Sequence, residues 1–105
     1  MFITCVSRVA PYRDYLPYQV SKAGLHQLMR VLALELAPEV RVNAVAPGSV
    51  LPPEGLSDAE REALLAGIPL GRFGGPDDVA RAVLHLATAS HVTGQELIVD
   101  GGHTA

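Results

Sequence analysis

A chain of 105 residues suffices for one domain with a modest core, and its 49% apolar and 18% charged content reads as globular, not disordered. A net charge of −3 gives no basic footprint for nucleic acid, and no run approaches the roughly 18 apolar residues of a membrane span. One cysteine excludes a disulfide framework and implies a reducing, cytoplasmic setting; the apolar start is also too short for a signal peptide.

Met1 to Val6 is a short apolar run, expected as a strand buried on both faces. Ser7 to Pro17 follows as a loop broken by Pro11, Asp14 and Pro17. A helix is expected from near Pro17 to Pro38, with Leu25, Leu28, Met29, Leu32 and Leu36 forming its apolar stripe. Val40 to Ala46 is the second strand, ending in the Pro47-Gly48 turn, where a backbone can approach a ligand closely or simply reverse. Ser49 to Gly55 is a Pro-rich connection. Ser57 with Glu60 makes a capping box for a short helix from about Asp58 to Ala66, closed by Gly67. Ile68 to Gly75 is a loop. Pro76 opens the last helix, with Asp77 and Asp78 in its first turn and Val79, Val83 and Leu86 as its stripe, fading near Ala89. Gln95 to Asp100 is the last strand, followed by the Gly101-Gly102 turn and a structural tail. Strands alternating with helices predict an α/β arrangement with a parallel sheet.

Within this pattern Tyr18 and Lys22 stand out. Four residues apart on a helix, they project from one face in its first turns. An ammonium beside a phenol favours the phenolate and lowers its pKa from about 10 towards neutrality, which suits a general acid/base acting on a carbonyl or an alcohol. Taken alone, the pair also fits a solvated helix surface. Parallel sheets bind ligands at the carboxyl ends of their strands, which puts Pro47-Gly48 on the rim that Tyr18 shares.

Tyr18-Gln19-Val20-Ser21-Lys22-Ala23-Gly24, Arg41 to Gly48, Pro69-Leu70-Gly71-Arg72, Pro76 to Ala80, and Val92-Thr93-Gly94-Gln95 with Val99 to Gly102 occur in that order over nearly the whole chain. Together they resemble the C-terminal part of the short-chain dehydrogenase/reductase family. The resemblance implies three strands and flanking helices from the C-terminal portion of a Rossmann-like, doubly wound parallel sheet. It implies hydride transfer with NAD or NADP (NADP slightly favoured) between a small carbonyl or alcohol substrate and the cofactor. Tyr18 would then be the general acid, and Lys22 would hold the nicotinamide ribose and depress the Tyr18 pKa. Pro47, Gly48, Ser49 and Val50 would border the nicotinamide end. The family's long helix pairs with its counterpart in a second subunit, so a homo-oligomer is implied for a full-length parent.

The family usually carries a serine thirteen residues before the tyrosine, to hydrogen-bond the substrate oxygen. That position is Cys5 here, with Ser7 two residues on, so either could fill the role, although a thiol is a poor donor. The threonine often found after the Pro-Gly turn is replaced near Pro52. Leu51 to Gly55 hints at pteridine-reductase-like relatives. Family members run to about twice this length, and their Gly-rich pyrophosphate turn has no counterpart here. Gly71, Gly74 and Gly75 follow a loop and read as turn and cap. The chain is thus expected as a partial domain, residues 1–105, and its first strand as an open edge able to recruit another chain. Cys5 reads otherwise as an inert core thiol, and His26, His85, His91 and His103 lack metal-ligand spacing. His26 is expected on the helix surface, and Tyr12 and Tyr15 at most beside a substrate pocket.

Overall fold

The computed structural model describes residues 1–52 and 54–105, so Pro53, inside the Leu51 to Gly55 stretch, lies outside the described residues. The three apolar runs form one parallel sheet in chain order: β1 (Phe2–Ile3), β2 (Ala44–Pro47) and β3 (Glu96–Val99). Among the described residues three α-helices accompany it: α1 (Leu16–Glu35), α2 (Asp58–Ala66) and α3 (Pro76–Thr88). This is the expected α/β class.

Alternation along β2 sorts the layers. Ala44 packs with Met29, Ala33 and Val42 under α1, and the next residue, Val45, packs with Ala82 and Leu86 under α3. A central parallel strand is covered on both faces, and Ala44, Val45 and Ala46 are fully buried. β1 differs. It has β2 on one side only, and Ile3 is 44% exposed, which corrects the expectation of a strand buried on both faces.

Two strands are shorter than the sequence suggests, for different reasons. After Thr4 donates to the Val45 carbonyl, the chain leaves the ladder for a 3-10 turn at Val6–Arg8, started by Cys5. Before Ala44, residues 41–43 bond through side chains instead of a ladder. The Val42 N–H donates to Thr93 Oγ1 at 3.0 Å. Buried Asn43 donates through Nδ2 to the Val92 carbonyl (2.8 Å) and accepts the Gln95 N–H (3.0 Å). Arg41 donates to the carbonyls of Leu86 and Ala87, filling acceptors that the end of α3 leaves open.

The helix punctuation behaves as expected. Ser57 and Glu60 form the capping box of α2, and Asp78 accepts the Gly75 N–H at the start of α3. On α1 the buried residues are Met29 and Ala33, whereas Leu28 and Leu36 from the expected stripe are exposed. No helix of the described residues is long and apolar enough to cross a membrane.

Candidate active site

Parallel strands deliver their carboxyl ends to one rim. Ile3 pairs with Val45, and Pro47 with Val99, so Cys5 just beyond β1 and Pro47-Gly48 at the end of β2 stand level. α1 starts beside the β1 end of this rim. The Lys22 ammonium donates to the Ile3 carbonyl at 3.1 Å, which anchors the helix to the strand and leaves two ammonium hydrogens without a partner among the described residues. The same nitrogen lies over the Tyr18 ring, 5.6 Å from its centroid.

The phenol is not acidified. Burial, and then its hydrogen bond and charge interaction with Cys5, push Tyr18 up to about 12. This corrects the expected depression. Lys22 is directed at the Ile3 carbonyl and the ring face, so the ammonium does not offset these effects. Tyr18 therefore keeps its proton across the neutral range. It is 42% exposed and accessible from solvent.

Cys5 and Ser7 separate in space as well as in sequence. The Cys5 thiol accepts the Ser7 N–H at 3.4 Å and lies against the hydroxyls of Tyr18 and Tyr12. Burial alone would raise its pKa, but Ser7, Tyr18 and Tyr12 draw it below the ordinary thiol value. The 3-10 turn carries Ser7 inward, where its hydroxyl is buried and completes no hydrogen bond among the described residues. Cys5 is half-buried and interacts with Tyr18, whereas the Ser7 side chain is buried. Tyr12 and Tyr15 are exposed and stack edge to face, with centroids 5.4 Å apart, and the Gln19 side chain clips the Tyr12 backbone to α1.

At the β2 end of the rim, glycine is required at position 48 by the protein itself. A Cβ there would lie 2.5 Å from Asp100 Cβ and 2.9 Å from its Cα. The Gly48 N–H is taken up by the Val99 carbonyl (3.0 Å) and the Ser49 carbonyl by Gly74 (3.1 Å), while the N–H groups of Ser49 and Val50 form no hydrogen bond among the described residues. Asp100 holds the tail by accepting from Gly102 and Thr104.

The glycines before α3 do not make an anion cradle. Asp78 already occupies that helix start, bonded to the Gly75 N–H and paired with Arg72, and these two partners bring its carboxyl down to about 2. A second carboxylate, Asp77, stands in the same turn. A cavity of about 510 Å³ beside β3, lined by Leu70, Leu97, Ile98 and Arg81 among others, contains none of Cys5, Ser7, Tyr18 or Lys22.

Sequence reasoning missed Glu96. Its side chain is 3% exposed and meets Thr4, Arg8 and His26. His26 accordingly faces the sheet, which corrects its expected place on the helix surface. A carboxylate opening an otherwise apolar strand was the available signal.

Similarity to known proteins agrees with this architecture. The family model of enoyl-(acyl carrier protein) reductases matches residues 1–104. The chain is 49% identical over 90 residues to 3-oxoacyl-[acyl-carrier-protein] reductase FabG of Thermotoga maritima, covering 81% of this chain and 37% of that protein. It is 44% identical over 109 aligned positions to 3beta-hydroxysteroid dehydrogenase 1 of Eggerthella lenta, covering 97% of this chain and 42% of that one. Among solved structures, the apo SCOR enzyme of Clostridium thermocellum superposes with a TM-score of 0.84 at 33% identity, over 97% of this chain and 40% of its own. A short-chain dehydrogenase/reductase of Brucella melitensis gives 0.83 at 29% identity, over 96% and 41%. The chain spans about two-fifths of the length of the relatives it matches. By sequence and by fold, it belongs to the short-chain dehydrogenase/reductase family.

Proposed function

We propose that this chain carries the proton-transfer half of an NAD- or NADP-dependent oxidoreductase that interconverts a small carbonyl compound and its alcohol. One observation carries the reading: Tyr18, accessible from solvent, stands beside Cys5 at the end of β1, with Lys22 over its ring and anchored to the same strand end. Tyr18 donates its proton to the carbonyl oxygen, and Cys5 is the side chain placed to orient that oxygen. Lys22, with two free hydrogens, holds ribose hydroxyls of the cofactor. Pro47, Gly48, Ser49 and Val50 border the nicotinamide end, where the free N–H groups of Ser49 and Val50 are donors for it. When bound, the cofactor supplies the hydride. The substrate class follows the named relatives, which act on oxoacyl chains and hydroxysteroids. The direct test is a chimera in which this chain replaces the matching segment of the Thermotoga maritima relative. Nicotinamide oxidation that depends on an added ketone supports the reading; a folded chimera with no such turnover overturns it.

A second reading concerns the isolated chain. Residues 1–105 form the C-terminal part of a larger domain and, alone, act at most as a partial domain or association module. The acid-filled start of α3 favours this. Half a dinucleotide site should bind weakly, so a titration of the isolated chain is expected to give a Kd for NADPH or NADH above about 1 mM, near −4 kcal/mol. Micromolar binding would reject it.

A further inference from the structure

We infer that Glu96 is a positioning residue: from β3 it clamps both ends of the Thr4–Arg8 segment, and so fixes Cys5 beside Tyr18. The inference rests on the reading of Cys5 as the substrate-orienting side chain. The geometry is unusual for a carboxylate on an apolar strand. Glu96 reaches past β2, and its side chain is 3% exposed. Oε1 accepts from Thr4 Oγ1 at 2.6 Å and lies 3.1 Å from His26 Nδ1, one turn of α1 beyond Lys22. Oε2 accepts from Arg8 Nε at 3.0 Å and from its Nη2. One carboxylate thus joins the end of β1, the 3-10 turn and the helix that bears Tyr18 and Lys22.

A buried carboxylate is costly unless paired, and one that binds three elements is stabilised only when all three are in place. Thr4 and Arg8 flank Cys5 and Ser7 directly. Between the two anchored ends the chain makes a tight turn, closed by the Ser7 N–H donating to the Cys5 sulfur. Loss of either anchor frees that turn and lengthens the bond that favours the thiolate. The thiolate is stabilised against burial by this bond and by the Tyr18 and Tyr12 hydroxyls, so the acidity of Cys5 reports the placement directly.

The chain has a single cysteine, so alkylation by iodoacetamide, followed by mass spectrometry as a function of pH, reads this segment without ambiguity. Glu96→Gln and Thr4→Val are expected to raise the midpoint of the Cys5 profile by about half a unit or more, towards the ordinary thiol value. Removing a negative charge near a thiol would by itself lower the midpoint, so a rise in Glu96→Gln separates positioning from a field effect. Thr4→Val cuts the same clamp with no change of charge. Leu86→Ala, which destabilises the opposite face of the sheet, should leave the midpoint in place. An unmoved or lowered midpoint in both clamp variants, or an equal rise in Leu86→Ala, overturns the inference. The readout is the thiol and not turnover, so failure of the clamp and failure of the proposed reaction are distinguishable.

Discussion

Replacing Tyr18 by Phe in the chimera should lower kcat for carbonyl reduction by about a thousandfold while changing cofactor affinity by less than about twofold. A positioned general acid contributes on the order of 10²–10⁴ in rate. Phe keeps the ring against Lys22 and removes only the oxygen that gives up the proton in the proposed reaction. The ammonium remains on the Ile3 carbonyl with its two other hydrogens available, so the proposed cofactor contact is preserved. Stopped-flow turnover with a ketone, beside fluorescence titration of NADPH, checks both halves. Unchanged turnover would remove Tyr18 from the reaction.

The same residue sets the pH dependence. Burial and Cys5 hold the phenol up to about 12, so the proposed proton donor is intact at neutral pH. The reduction rate should be flat from about pH 6 to 9 and fall only as the phenol deprotonates. Alcohol oxidation needs the phenolate, and should rise roughly tenfold per pH unit over that interval. A neutral-pH plateau for oxidation would mean instead that the ammonium acidifies the phenol once the site is complete.

The contrast between these two expectations shows what was legible in the chain itself. Helix ends were readable because their signals are local: Ser57 and Glu60, Gly67, Pro76 and Asp78 act within one turn of where they stand. The spacing of Tyr18 and Lys22 was readable for the same reason. The environment of the phenol was not, because its main partner, Cys5, comes from thirteen residues earlier, and the Lys22 ammonium is held by a strand carbonyl that no side-chain pattern encodes. Strand ends failed similarly. Val42 and Asn43 look like strand, but their bonding groups are satisfied by Thr93, Val92 and Gln95, some fifty residues away. Gly48 could be read as a place for a ligand to approach, whereas Asp100 alone accounts for it. Glu96 is the extreme case, with partners on three elements up to 92 residues distant.

Met29→Ala should be the most damaging single change in the core, costing about 2–5 kcal/mol. Met29 is fully buried where α1 crosses the sheet, packed with Ala33, Val42 and Ala44 and flanked by Phe2 and Leu32. Ala33 and Ala44 have no side chain to move into the vacated space, so part of the cavity persists and adds to the cost. A small domain has only about 5–15 kcal/mol in all, so this loss should leave α1 poorly seated at moderate temperature. Guanidinium unfolding followed by circular dichroism gives the measure, with Leu34→Ala as the control. Leu34 is on the same helix but 81% exposed, and its truncation should stay within about 0.5 kcal/mol. Equal effects for the two would show that α1 is not held by this face. The consequence reaches the rim, because Lys22 lies two turns before Met29 on the same rigid helix. If the helix lifts, the Lys22 bond to Ile3 and the approach of Tyr18 to Cys5 are lost together. Cys5 alkylation should then lose its lowered midpoint in Met29→Ala under conditions where Leu34→Ala retains it.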